Sequence, residues 1–272
     1  MAKYLEIKAV IFVPDFMDEA TQEKIRSEGA TVIVVDGDYD YSIAKAKEEA
    51  EKKGGMLVMD VSWEGYNEIP EVGDIPHSRA HPPAHANIRQ WVVEGYITML
   101  TETDKQLRDT GISSVTHAIA AVGVGSWAQA VTMHYKSQSQ SRSPSATVIT
   151  VEPDTAASLK ASLEAGKITP ISTGHTIMNG MNCGTTSTTA WEVLQKGVNV
   201  SVTVADVDVH NDLVDLHDQG IRNGPCGAAT LTALKKVCRD KEMKAGLGLD
   251  DKSVVVLFST EGARDYVVPS GA

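Results

Sequence analysis

The chain has 272 residues, enough for one large domain or two smaller ones to bury a core without disulfides or metals. Hydrophobic residues make up 42% and charged residues 22%, which excludes a disordered chain, and the net charge of −11 disfavours contact with nucleic acid or anionic membranes. No run approaches 18 apolar residues and the first residues lack the pattern of a signal peptide, so we expect a soluble cytoplasmic protein.

Strand-like and helix-like runs alternate over the first sixty residues. Strands are predicted at 8–13, 31–36 and 56–60, and helices at 19–28 and 40–53. Asp18 is the predicted N-cap of the first helix, and Gly54 and Gly55 end the second. Strands that are apolar on both faces and separated by helices indicate a parallel sheet covered on both sides.

The same alternation resumes after residue 90. Helices are predicted at 91–107, 126–136, 154–165, 187–196 and 225–238, and strands at 115–122, 146–152, 198–204 and 253–259. Asp154 is the predicted cap of the third of these helices. The run at 253–259 is nearly all β-branched, so we expect it at the centre of its sheet. The fold class predicted from the whole chain is α/β.

Residues 72–90 interrupt this pattern. They hold three of the ten prolines and three of the eight histidines and have no apolar period, which predicts a loop or disordered insert. His77, His81 and His85 lie four apart, a spacing that zinc ligands use on a helix. Pro82 and Pro83 break such a helix, so no metal site is predicted there. The three cysteines form no CxxC pair, which argues against a cysteine-rich zinc site elsewhere.

A glycine-rich turn between a strand and a helix is the strongest candidate for a binding site. Gly123, Val124, Gly125 and Ser126 follow the strand at 115–122 and open the helix at 126. Such a turn presents backbone N–H groups at a helix N-terminus, where they can bind phosphate. The turn is neither a Walker motif nor a complete GxGxxG, so an ordinary tight turn remains the alternative.

Other candidates follow the predicted strands or lie in turns. Ser259 and Asp60 each end a strand, and ligands of open parallel sheets bind at the carboxyl ends of strands. The serine could hydrogen-bond a ligand ring nitrogen and the aspartate could transfer a proton, or both could merely cap turns. Cys226 reads as a small buried residue at a helix start, with a place beside a ligand as the alternative. The Gly- and Asn-rich run at 178–187 is explained by turn chemistry alone.

Several motifs, in this order, resemble the diaminopropionate ammonia-lyases. They are DVSWEGYNEIP, WVVEGYITML, AVGVGSWAQAV, VEPD, TIMNGMNCGT and STEG, and they cover nearly the whole chain apart from residues 72–90. This family belongs to the fold type II enzymes that depend on pyridoxal phosphate (PLP), together with tryptophan synthase β and the threonine dehydratases. The resemblance implies parallel sheets covered by helices.

The resemblance also implies roles for matched residues. Residues 123–126 correspond to the loop that holds the cofactor phosphate, Ser259 to the hydroxyl that faces the pyridine nitrogen, and Asp60 to a carboxylate beside the substrate. The family reaction is an α,β-elimination of ammonia from a 2,3-diamino acid that gives pyruvate, with PLP as the electron sink. The implied partner is therefore a small amino-acid substrate, without nucleic acid or membrane, and a homodimer is the candidate assembly.

Two departures from the family pattern qualify this prediction. The family lysine that forms the Schiff base with PLP lies in an N-terminal segment, and no lysine here lies in that motif. We therefore expect an N-terminally truncated, catalytically incompetent chain. Residues 72–90 separate EIPE from WVVEGY, which are continuous in the family; a Val codon begins with GT and a Gln codon can end in AG, so we interpret the segment as a retained intron.

The predicted organisation is accordingly a remnant of a small α/β domain at 1–71, the insert at 72–90, and a large PLP-binding α/β domain at 91–272. Two other functions stay open. One is a non-catalytic member of the PLP family or an interaction subunit, and the other is a serine/threonine dehydratase-like fold type II enzyme.

Overall fold

The computed structural model describes residues 2–59, 89–112, 114–137 and 145–272. These residues form two units, which divide between Met59 and Asp60. The domain boundaries predicted at residues 71 and 72 lie outside the described residues and stay predictions. A helix that begins at Arg89 takes in the last two residues of the predicted insert. In the described part of the chain, no helix is both long enough and apolar enough to cross a membrane.

The first unit pairs two parallel strands and two helices, after a 3-10 turn at Ala2–Leu5. Strands β1 (Val10–Pro14) and β2 (Thr31–Val35) pair in register from Val10 opposite Thr31. Helix α1 (Glu19–Ser27) begins as predicted at Asp18, whose Oδ1 accepts from Thr21 N at 2.8 Å. Helix α2 (Tyr39–Lys53) ends as predicted at Gly54, which adopts the left-handed conformation with φ 66°.

The second unit is built on a parallel sheet in the order β5-β4-β3-β6. Its strands are β3 (His117–Ala121), β4 (Thr147–Pro153), β5 (Val200–Val204) and β6 (Val255–Leu257). The helices are α3 (Arg89–Asp109), α4 (Ser126–Ser137), α5 (Ser158–Ala165), α6 (Thr188–Gly197), α7 (Asp206–Asp218), α8 (Pro225–Arg239) and α9 (Lys241–Gly246).

Alternate residues of the central strand β3 face two different cores. Ile119 packs with residues of α7 and α8, while Ala118 and Ala120 pack with residues of α3, α4 and α6. All five β3 side chains are buried, as expected for a strand with helices on both faces. The α/β class and the covered parallel sheet are therefore confirmed.

Three predicted elements differ from the structure, and two helices of the structure were not predicted. Residues 56–59 form no strand and pair with no strand in the described part of the chain, and Met56 and Val58 are exposed. The strand predicted at 253–259 shortens to β6, which pairs only with β3 among the described residues and so lies at the edge. Helix α5 begins at Ser158 rather than at residue 154. Helices α7 and α9 were not predicted.

Candidate functional site

The glycine-rich turn connects the end of β3 to the start of α4. Gly125 has φ +103°, and a β-carbon there would lie 2.9 Å from the Ala190 side chain of α6. A β-carbon on Gly123 would lie 2.6 Å from the carbonyl oxygen of Gly180. Both positions therefore require glycine, one for its backbone conformation and both for close approach. Ser187 N donates to the carbonyl oxygen of Val124 at 2.9 Å and holds the turn against α6.

The helix that follows this turn is suited to bind an anion. Helix α4 has 12 residues and no acidic residue in its first turn. The first N–H groups of any helix lack acceptors within the helix, and the helix dipole adds partial positive charge at that end. An external anion that reaches the turn therefore meets several donors and no competing carboxylate on α4.

A cavity of about 410 Å³ opens beside the turn. Its volume is in the range of small-molecule sites. Aromatic and sulfur-containing side chains supply much of the wall, and the lining includes Tyr96, Trp127, Met181 and Cys226. The rings of Tyr96 and Trp127 pack edge to face with centroids 5.2 Å apart. The cavity is thus lined partly by the helix N-terminus that can bind an anion and partly by apolar and aromatic side chains.

Glu261 is the charged residue in the described part of the cavity wall. Its Oε2 accepts from the backbone N–H of Cys226 at 2.7 Å, so it caps α8, whose own N-cap Gly224 has no side chain. Its Oε1 accepts from Nε of Arg264 at 2.7 Å, and Arg264 also donates to the carbonyl oxygen of Ile177. The N-terminus of α8 is therefore already neutralised from within the chain, unlike that of α4.

Cys226 lines this cavity and is buried, which agrees with the first of its two alternatives; a place beside a ligand stays a prediction. Burial raises the pKa of the thiol, and the neighbouring Glu261 carboxylate acts in the same direction. A thiol held in its protonated form is a poor nucleophile and metal ligand. Cys226 therefore contributes apolar surface to the cavity wall.

The other predicted site residues do not appear among the described residues that line the cavity. Ser259 follows β6, its side chain is exposed, and its neighbours Thr260 and Glu261 line the cavity. Asp60 and the three histidines at 77, 81 and 85 lie outside the described residues. Within the described ranges, no three His, Cys, Asp or Glu side chains are grouped so as to hold a metal ion.

Sequence reasoning missed two parts of this site. The run at 178–187 was assigned to turn chemistry, yet Gly180 packs against Gly123 and Met181 lines the cavity. Its dense glycine and asparagine content was the available signal, because close backbone approach needs small residues. Glu261 belongs to the STEG run and was passed over in favour of Ser259, since nothing in the sequence tells which side chain caps α8.

A sequence model of a protein family, described as pyridoxal-phosphate dependent enzyme, matches residues 1–260. The curated relatives include the diaminopropionate ammonia-lyase of Salmonella typhimurium, which is 28% identical over 274 residues, covering 96% of this chain and 62% of the relative. The diaminopropionate ammonia-lyase of Escherichia coli K12 is 29% identical over 273 residues, covering 97% and 63%. The chain thus spans a little over 60% of the length of these relatives.

Solved structures give the same relationship. The crystal structure of the Escherichia coli enzyme in complex with an aminoacrylate-PLP azomethine reaction intermediate superposes with a TM-score of 0.80 at 28% identity, covering 96% of this chain and 63% of that one. The processed form of threonine deaminase isoform 2 from Solanum lycopersicum has a TM-score of 0.69 at 20% identity, covering 96% and 64%. At that identity the second likeness concerns the fold alone.

Proposed function

The chain belongs to the pyridoxal-phosphate dependent enzymes, and we propose that the turn from Gly123 to Ser126 holds the phosphate of this family's cofactor, PLP. The observation that carries the proposal is this turn at the start of α4, which we call the cradle. It lines the cavity, and it packs so closely against neighbouring segments that a β-carbon at Gly123 or Gly125 would clash with Gly180 or with Ala190. An aromatic chamber of about 410 Å³ adjoins that cradle, which suits a cofactor made of one ring and one phosphate.

The charge distribution supports this orientation of the cofactor. Glu261 caps α8 and supplies a carboxylate on one side of the cavity, where a phosphate would be repelled. The first turn of α4, which also lines the cavity, carries no acidic residue. A dianionic phosphate is therefore favoured at α4, which directs the ring toward the segment of Ser259 to Glu261.

We further propose that this site is of the kind that eliminates ammonia from a 2,3-diamino acid to give pyruvate, and that this chain as it stands is a catalytically incompetent version of such an enzyme. Bound PLP supplies the electron sink that lets the Cα proton leave. Ser259 offers a neutral hydroxyl to the ring nitrogen, and Asp60 holds or moves a proton beside the substrate. Both assignments rest on matched motifs, and Asp60 lies outside the described residues.

A second candidate, a non-catalytic PLP-binding protein, has one observation in its favour. No lysine lines the cavity in the part of the chain that the structure describes. A covalent bond to the cofactor needs such a lysine, so we propose that this chain as it stands binds PLP without turnover. A serine/threonine dehydratase-like activity is the third candidate, and the likeness to threonine deaminase bears only on the fold.

Cofactor binding is tested by titrating the full chain with PLP and following tryptophan fluorescence, since Trp127 lines the cavity. We expect quenching that saturates, and its loss in Trp127→Phe identifies the reporting residue. Gly125→Ala, which forces a methyl group against Ala190 and Leu194 of α6 and so displaces the turn, should weaken PLP binding at least tenfold. The matched control is Gly166→Ala, which has φ +68°, has nothing within 4 Å of the added carbon and lies at the end of α5. Equal effects of the two substitutions would contradict the phosphate assignment.

Turnover is tested separately with 2,3-diaminopropionate, serine and threonine as substrates. We expect pyruvate release no faster than with free PLP, and no lysine carrying the cofactor mass after borohydride reduction. Pyruvate release above that background from the diamino acid, with a labelled lysine, would replace the non-catalytic candidate by the ammonia-lyase. Release from serine or threonine alone would favour the dehydratase.

A further inference from the structure

Asn223 is a buried side chain whose carboxamide oxygen is unpaired within the described part of the chain. It is 3% exposed, and its Oδ1 has no hydrogen-bond partner among the described residues. Its backbone is firmly held, since its carbonyl oxygen accepts from Nε2 of His217 at 2.7 Å and it forms an isolated antiparallel bridge with Gly262. A buried amide left incompletely paired is unfavourable, so its presence calls for an explanation beyond packing.

The carboxamide of Asn223 and the hydroxyl of Ser259 both lie close to the position that a β-carbon of Gly227 would occupy. A β-carbon on Gly227 would lie 2.7 Å from Ser259 Oγ, 3.3 Å from Asn223 Cβ and 3.4 Å from Asn223 Nδ2. No side chain at position 227 separates the two polar groups. Nδ2 of Asn223 and Oγ of Ser259 therefore face the same space, each within 3.4 Å of one point.

The neighbouring polar group does not compete for this role. Both carboxylate oxygens of Glu261 are engaged, one by the backbone N–H of Cys226 and the other by Arg264. Ser259 is exposed and so accessible to a ligand, whereas Asn223 is covered. In this arrangement Ser259 can contact a ligand, and Asn223 lies behind Ser259.

We propose that Asn223 is a positioning residue for Ser259. Its Nδ2 donates a hydrogen bond to Ser259 Oγ, which leaves the hydroxyl hydrogen to be donated to the ring nitrogen of PLP. Asn223 thereby sets which way the hydroxyl faces without touching the cofactor itself. This inference rests on the proposed function, because it requires PLP in the cavity with its ring toward Ser259.

The experiment compares PLP with an analogue whose ring nitrogen is replaced by carbon, using tryptophan fluorescence of the full chain as the binding readout. Asn223→Ala should weaken PLP binding about fivefold, the value of one hydrogen bond. It should leave the affinity for the analogue unchanged, and it should add nothing to the loss caused by Ser259→Ala. Thermal unfolding in the absence of ligand checks that each variant folds.

Asn223→Asp is the second variant, with nearly the same shape and no amide donor. Its carboxylate would accept the Ser259 hydroxyl hydrogen and withdraw it from the ring, so we expect a larger loss of PLP affinity than with alanine. Equal losses for PLP and the analogue, an unchanged PLP affinity of the alanine variant, or tighter binding by the aspartate variant would each overturn the inference alone. A parent chain that fails to bind PLP would overturn the proposed function and this inference together.

Discussion

Glu152 shows how a single buried side chain can replace the cap that a sequence predicts. It lies in β4 and is fully buried, and its two carboxylate oxygens accept from the backbone N–H groups of Leu159 at 2.7 Å and Lys160 at 2.9 Å. It therefore caps α5 from the sheet, while the predicted cap Asp154 stays exposed. The helix begins at Ser158 for this reason, four residues after the predicted start.

Burial raises the pKa of Glu152 to about 7, against the opposing effect of hydrogen bonds from Leu159, Lys160 and Ser201. Since the folded-state pKa is above the unfolded one, its contribution to stability is full below the unfolded pKa and is lost as the pH rises through about 7. Between the unfolded-state pKa and a pH of about 7, the free energy of unfolding falls by about 3 kcal/mol because of this group.

We expect Glu152→Gln to lack this contribution, so the variant should gain stability relative to the parent as the pH rises from 5 to 7.5. Urea unfolding at several pH values measures the difference, which cancels the titration of the other carboxylates. Glu164→Gln, an exposed substitution on the same helix, is the control and should give a constant difference. Parallel curves for the parent and Glu152→Gln would contradict the assignment.

The sequence pointed to the glycines of the turn, whose pattern is local. It did not point to the side chains that contact segments far away in the sequence. Gly123 and Gly125 were found because a strand, a glycine-rich turn and a helix in succession have a local signature. Glu152, Glu261 and Asn223 act across sequence separations that no local pattern records. Their roles depend on which segments the sheet brings together.

Helix α8 is the element on which the site most depends. Its first turn supplies the cavity residue Cys226, and its missing side chain at Gly227 leaves space for Ser259. The segment after β6 is tied to it twice, by the bond from Gly224 N to the carbonyl oxygen of Glu261 at 2.9 Å and by the Glu261 carboxylate on Cys226 N. The cap thus joins α8 to the segment that we propose faces the cofactor ring.

Glu261→Gln should therefore destabilise the second unit and weaken PLP binding together. Glutamine keeps the shape but loses the charge-assisted bonds to Cys226 N and Arg264, which predicts a loss of about 1–3 kcal/mol in unfolding free energy. Thermal or urea unfolding measures the first effect and the fluorescence titration the second. Glu242→Gln, exposed in the first turn of α9, is the matched control. A cap without influence on the site would change stability and leave PLP affinity intact.

Regular elements with strong apolar runs were predicted well, and the errors have identifiable causes. Helix α7 was missed because aspartates crowd its sequence, although Val209 and Leu213 are buried four residues apart on one face. The run at 253–259 is as β-branched as a central strand, yet only three residues find hydrogen-bond partners there. Composition shows that a segment prefers the strand conformation. How many of its residues form a strand depends on the neighbouring strand that the tertiary fold provides.

The described residues divide into two units, and the whole cavity belongs to the second. Every lining residue lies between Tyr96 and Glu261, and the first unit contributes none of them among the residues described. The family match, by contrast, runs across both units. The family match therefore extends beyond the unit whose residues line the cavity.

Hydrogen exchange of the full chain with and without PLP tests this division. We expect added protection in the turn at 123–127, in the run at 178–183 and in the segment at 259–262, because a bound ligand suppresses local opening of the backbone around it. Strands β1 and β2 should exchange at unchanged rates, since no described residue of the first unit lines the cavity. Inorganic phosphate is the control ligand and should protect only the turn at 123–127. Protection of β1 or β2 by PLP would mean that the first unit responds to the cofactor and that the cradle in the second unit does not act alone.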